Sequence, residues 1–169
     1  MAPVVSLVAC DLELADAALG DAAGLARALS CVVADGWLVF PGALEHVREA
    51  LAADPSARRW GSRFILVEDP RTLVGWGGFK GTPDAEGAIE IGYSVAPSWE
   101  GRGVATAAVG AMLHEAWAAP EVRCVLAHTL AEPNASVRVL EKSGFVRDGE
   151  SLDGDVGVVW RWRVDRPRR

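Results

Sequence analysis

No two cysteines in this chain are spaced to suggest a zinc site or a redox pair. Cys10, Cys31 and Cys124 are far apart and form no Cys-x-x-Cys, which argues against a disulfide framework and leaves three reduced thiols. Also missing is any run approaching the roughly 18 apolar residues of a membrane-spanning helix. Leu7-Val8-Ala9-Cys10 superficially matches a lipoprotein cleavage box, yet no Lys or Arg precedes it and the apolar run is too short for a signal segment. Basic excess is absent as well: 17 Lys and Arg stand against 23 Asp and Glu, a formal net charge of −6. A nucleic-acid partner is therefore not expected, since such partners leave a basic surface. Cationic or amine ligands are mildly favoured at encounter. The expectation is a soluble, cytoplasmic protein without a metal or a membrane partner.

What is present suits one domain over residues 1–169, since 50% hydrophobic and 24% charged residues are ordinary for a chain that buries a core. The sequence is organised around residues 88–117. Ile89, Ile91, Tyr93 and Val95 alternate with Glu90, Gly92 and Ser94, the period of a strand. Pro97 ends the ladder, having no N–H to give. Gly101 and Gly103 permit a tight turn, and Val104, Ala105, Ala108, Val109, Met112, Leu113 and Ala116 follow at helical spacing. Such a helix begins with bare amides at its positive end, a natural seat for a phosphate or diphosphate.

Before this unit, residues 4–9 read as a strand, and residues 11–19 and 21–29 as two helices, each opened by an Asp suited to capping. A turn at residues 34–37 follows, with Trp37 and Phe40 either lining a pocket wall or packing as core aromatics. Residues 41–53 fit a helix in which His46 is a solvated histidine. Residues 63–68 and 73–80 form a hairpin around Asp69-Pro70, where Gly75, Gly77 and Gly78 signal a bulge or a close approach. After the central helix, residues 122–130 return as a strand parallel to 88–95. Residues 134–143 form a helix stopped by Gly144, and residues 145–150 and 156–162 are the closing strands. The five arginines from Arg161 onward read as a solvated tail.

The turn itself excludes two nucleotide motifs. A dinucleotide fingerprint needs a third glycine where Thr106 stands, and a nucleoside-triphosphate loop needs Gly-Lys-Ser/Thr. Glu100-Gly101-Arg102-Gly103-Val104-Ala105 instead fits (Gln/Arg)-x-x-Gly-x-(Gly/Ala), departing at Glu100. A second block, Asn134-Ala135-Ser136-Val137-Arg138-Val139-Leu140-Glu141-Lys142-Ser143-Gly144-Phe145, follows at the matching distance. On these two blocks the sequence resembles the GNAT superfamily of acyl-CoA-dependent N-acetyltransferases, in the branch with the ribosomal-protein N-terminal acetyltransferases. The resemblance is strongest over residues 75–148.

That resemblance implies an α/β (α+β) domain: a mixed, mostly antiparallel sheet of about seven strands, splayed between the fourth and fifth, with helices on both faces. It implies acetyl-CoA as co-substrate and a primary amine, a peptide N-terminus or a small amine, as acceptor, joined in a ternary complex. A homodimer is left open. The coenzyme contacts it implies are Val95, Arg102, Gly103, Val104, Ala105, Thr106 and Asn134. Val95 would offer a backbone N–H to the oxyanion. Glu90, on the face with Gly92 and Ser94, is the candidate base, or else a structural glutamate, and His128 is the second candidate. Where the family often carries a tyrosine this chain has Leu140, so Ser136 becomes the proton donor unless it merely caps its helix. Glu100 would repel a diphosphate, which keeps a catalytically silent acyl-CoA-binding or regulatory domain as the alternative.

Overall fold

The structure is a computed structural model describing residues 1–168, so Arg169 lies outside it. Strand β1 (Val5–Ala9) leads into helices α1 (Leu12–Gly20) and α2 (Ala22–Leu29). Their caps are the expected ones: the Asp11 carboxylate accepts from the Leu14 amide at 2.9 Å and the Asp21 carboxylate from the Gly24 amide at 2.6 Å. Then come β2 (Val32–Val33), α3 (Gly42–Ala53), β3 (Ser62–Glu68), β4 (Arg71–Phe79), β5 (Ala88–Val95), α4 (Val104–Ala118), β6 (Cys124–Leu130), α5 (Ala135–Lys142), β7 (Val146–Asp153) and β8 (Gly157–Asp165).

The main path of the sheet runs β1-β3-β4-β5-β6-β8-β7, with β2 beside β4. Neighbours are antiparallel except β5 with β6 and β2 with β4. The expected fourth and fifth strands are β5 and β6, and they do splay. Only Ala88, Ile89 and Glu90 pair, with Cys124, Val125 and Leu126, after which the two strands separate. The sheet has eight strands rather than about seven. The extra one, β2, has two residues, too few for any periodicity to register.

Alternation along the central strands feeds a core on each face. Phe64 and Leu66 pack with Leu25, Leu44, Leu73 and Trp76 beneath α1, α2 and α3. Ile65 and Val67 point the other way, to Ile89, Ile91, Val95, Met112 and Leu140 beneath α4 and α5. Residues 64–67 therefore read as an unbroken apolar run because both faces are covered.

The tail differs from the solvated segment expected of it. The Arg166 guanidinium donates to the carbonyls of Val122 and Trp117, each at 2.8 Å, and to that of Ala119. Trp117 and Ala119 lie at the end of α4, where carbonyls lack helical partners, and Val122 lies in the link to β6.

Gly75 and Gly77 of β4 are explained by the closeness of β5, and Gly78 by the backbone of Gly61 and Ser62 at the start of β3. A Cβ on Gly75 would collide with the Ser94 carbonyl oxygen, and one on Gly77 would lie 2.5 Å from the Gly92 carbonyl oxygen. β4 also shifts register at Val74, so the bulge and the close approach occur together. Gly75→Ala is expected to cost about 1–3 kcal/mol through overpacking. Gly110→Ala, on an exposed face of α4 with nothing within 4 Å, should instead stabilise by about 0.5–1 kcal/mol. Urea midpoints of the two variants test the contrast.

Candidate active site

The link from β5 to α4 contains a short 3-10 turn, Pro97–Trp99, then two left-handed glycines, Gly101 at φ 69° and Gly103 at φ 80°. Gly103 occupies the capping position of α4 and no side chain caps the helix. Among the described residues, the amides from Gly101 to Thr106 have no hydrogen-bond partner. The positive end of a 15-residue helix is thus presented bare. A cavity of about 420 Å³ starts at these amides, follows Tyr93, Ser94 and Val95 along β5, and reaches Ser136, Arg138 and Lys142 on α5.

A second cavity, of about 360 Å³, opens beyond it, walled by Trp76, Phe79, Lys80, Gly92 and His128 among others. Phe40, Tyr93, Ser94 and Ser136 line both. The splay makes this junction. Ala96 donates to Val74 and the Glu90 carbonyl accepts from Lys80, so the even-numbered residues of β5 bond to β4. The period of two turns the amides of Tyr93 and Val95 toward β6, from which β5 has already separated.

Beside the junction sits a charged cluster. Glu90 Oε1 accepts from Lys80 Nζ at 2.6 Å and lies 3.0 Å from His128 Nδ1. His128 Nε2 is 3.4 Å from the Ser151 hydroxyl. Burial pushes the Glu90 carboxyl up, but the hydrogen bond and charge of Lys80, with His128 adding to them, outweigh it and hold the group below the ordinary carboxylate range. The stability Glu90 lends is therefore full above its ordinary pKa and is lost as pH falls through the lowered one.

The Acetyltransferase (GNAT) domain family matches residues 11–146. The chain belongs to this family. A protein of Bacillus subtilis (strain 168), the uncharacterized N-acetyltransferase YjdG, is 29% identical over 114 residues, 68% of this chain and 68% of that protein. RimL, a ribosomal alpha-N-protein acetyltransferase solved in complex with coenzyme A, superposes with TM-score 0.68 at 18% identity, covering 95% of this chain and 93% of its own. The aminoglycoside acetyltransferase AAC(6')-Ib, also in complex with coenzyme A, gives TM-score 0.68 at 17% identity over 96% and 95%. At such identities these two structures speak for the fold.

Within this GNAT acetyltransferase, Val95, Gly103, Val104, Ala105, Thr106 and Ser136 all border the first cavity. Two residues expected there lie elsewhere. The Arg102 guanidinium stacks on the Trp99 ring, 5.0 Å from its centroid, and does not line the cavity. Asn134 is spent as the cap of α5, accepting from the Val137 amide at 3.0 Å and donating to the Glu132 carbonyl at 2.9 Å. Because Asn134 caps the helix, Ser136 has no capping duty. Glu90 borders neither cavity, whereas His128 borders the second.

Other lining residues escaped the sequence reading. Arg138 and Lys142 are one helical turn apart on α5, beside the first cavity, and bring positive charge to the wall that holds Glu100. Their i, i+4 spacing within the second motif was the available signal. Trp37 and Phe40 part company: Trp37 packs 5.8 Å from Phe64 and 6.1 Å from Trp76, while Phe40 is 67% exposed and walls both cavities.

Tyr93 spans the splay, its hydroxyl donating to the Ser136 carbonyl at 3.4 Å. Burial pushes its pKa up to about 12, against the opposing effect of that hydrogen bond. As the single tyrosine of the chain, it can be titrated alone by tyrosinate absorbance, with a midpoint expected at about 12. The unfolded chain releases this proton near pH 10, so stability should be undiminished below that and fall as pH rises toward the folded value. A midpoint near 10 in protein that remains folded would contradict the buried placement.

Proposed function

We propose that the chain is a cytoplasmic N-acetyltransferase that moves an acetyl group from acetyl-CoA to a primary amine, directly and within one ternary complex. Residues 1–169 act together as one acyl-CoA-dependent domain. The observation that carries this reading is the meeting of two cavities at Phe40, Tyr93, Ser94 and Ser136, one beginning at uncapped amides and the other bordered by His128. Supporting the location, three free thiols occur and no helix among the described residues is long and apolar enough to cross a membrane.

The amides of Arg102, Gly103, Val104, Ala105 and Thr106 suit a diphosphate, and Arg138 and Lys142 offset the repulsion from Glu100. Acetyl-CoA, as the second substrate, brings the activated carbonyl. The Val95 amide faces the splay, where an N–H donated to that carbonyl oxygen strengthens as the oxygen gains charge. His128, donating from Nδ1 to Glu90, keeps a lone pair on Nε2 in its neutral form; the Ser151 hydroxyl, 3.4 Å away, yields that lone pair to the amine, whose proton the ring accepts. Glu90 holds the ring rather than meeting the substrate. The Ser136 hydroxyl returns a proton to the departing sulfur. No cysteine borders either cavity, and Cys10 is pushed up to about 12 by burial, so direct transfer fits better than relay through an acylated thiol.

Thiol release from acetyl-CoA across peptide N-termini and small amines is the deciding assay. Binding without release would leave only an acyl-CoA-binding domain. Gly103→Asp should abolish calorimetric CoA binding, because it sets a carboxylate where the diphosphate arrives, while the left-handed backbone strain costs only about 1–2 kcal/mol of stability. Undiminished affinity in the folded variant would remove the turn from the site.

Kinetics separate the two base candidates. His128→Gln is expected to lower kcat/KM by about 10²-fold at neutral pH, recovering as pH rises and the amine loses its proton unaided. Glu90→Gln keeps an acceptor for Nδ1 but removes the charge, and should cost about tenfold. The reverse ranking would make Glu90 itself the base.

A further inference from the structure

The second cavity has an unusual charge inventory for a site that must receive an amine. No Asp or Glu is among its lining residues, and its chargeable groups are Lys80 and His128. Glu90 stands behind both and is engaged by both. Asp153, whose carboxyl senses Lys80 and His128, is occupied by the amides of Asp155 and Val156 at 2.8 and 3.1 Å. Nothing here would replace the water lost by a polyamine or an aminoglycoside, whose several ammonium groups need carboxylates.

Lys80 is held in place by the sheet. It sits where β4 ends, and its side chain crosses the surface of β5 over Gly92, where an added Cβ would lie 3.1 Å from Lys80 Cε. Gly92 pairs with Gly78, and the missing side chain at Gly92 leaves the room that the lysine occupies. Its ammonium gives one proton to Glu90, and with the side chain 57% exposed the other two remain available at the cavity wall. Four aromatic residues, Phe40, Trp76, Phe79 and Tyr93, are among the rest of the wall, together with Ile91 and the hydroxyls of Ser62, Ser94 and Ser136.

Resting on the acetyltransferase reading above, we infer that the acceptor is an amine carrying a nearby carboxylate on an apolar body, with Lys80 binding the carboxylate while the amine faces His128. Two sources share this chemistry: a free aromatic or aliphatic α-amino acid, and a peptide whose N-terminal amine is followed closely by an acidic side chain. Transfer forms the amide N–C bond and breaks the C–S bond of the thioester. The amine proton leaves to His128, and the thiolate takes one through the Ser136 hydroxyl, which is refilled from water as His128 gives its own proton up to solvent, so the proton count closes and no further reactant is required.

The test compares acceptors that differ only in the carboxylate: L-phenylalanine against 2-phenylethylamine, and Ala-Asp-Phe-amide against Ala-Asn-Phe-amide. Spermidine and kanamycin serve as polycations. Rates are expressed per neutral amine. A carboxylate held by a charge-assisted hydrogen bond should raise kcat/KM by about tenfold or more in at least one pair, and which pair responds identifies the source. Lys80→Met should reduce that ratio to near one, and Lys80→Glu should invert it. Because the ratio is taken within one variant, any loss of activity common to both acceptors cancels. Equal rates within both pairs, a polycation preferred over both, or a ratio unchanged in Lys80→Met would overturn the inference while leaving acetyl transfer intact. Absence of thiol release with every amine would overturn both.

Discussion

Three residue pairs of parallel ladder, and no more, join the two halves of this sheet, and the site depends on that limit. Were β5 to stay paired with β6 along its length, the amides of Tyr93 and Val95 would be consumed by the ladder and no cavity would separate β5 from α5. Parting the strands exposes backbone donors that a continuous sheet satisfies internally. That loss is tolerated because Tyr93 reaches across to the Ser136 carbonyl and because both faces of the remaining sheet are covered. Gly75 and Gly77 of β4 serve the same arrangement, letting β5 lie close on its paired side while its other side stands open.

Residue identity in the sequence marked the turn and the helix after it well, because their signals are local. The strand at residues 88–95 has the same limits in the structure, and both motif blocks border the first cavity, at residues 103–106 and 136–142. What the sequence concealed depends on contacts between residues far apart in it. Glu90 and His128 are 38 positions apart, and their hydrogen bond follows from strand register, which no spacing rule reveals. For Phe40 the sequence leaves pocket wall and core aromatic both open, and the fold sets it beside both cavities. Ser136 shows the opposite limit: it fits a cap from sequence alone, and the structure gives the cap instead to Asn134, expected as a coenzyme contact. Arg166 was read as solvated because a carbonyl acceptor at the end of another element leaves no trace in composition.

Charge is distributed unevenly against the net value of −6. An acidic surface favours the approach of cations, yet the second cavity has no carboxylate among its lining residues and a lysine at its wall. Encounter is governed by the long-range field, whereas selection is governed by the few groups that touch the bound molecule where water is excluded. The two need not agree in sign.

The common wall at Phe40, Tyr93, Ser94 and Ser136 has a thermodynamic corollary. A molecule that repositions Phe40 in one cavity changes the shape of the other, so the two binding events do not have separable free energies. Linkage then requires the effect to be mutual: whatever factor the first molecule applies to the affinity of the second, the second applies to the first. The exposed phenylalanine thereby becomes a coupling element, and the order in which the substrates arrive alters the path without altering the sum.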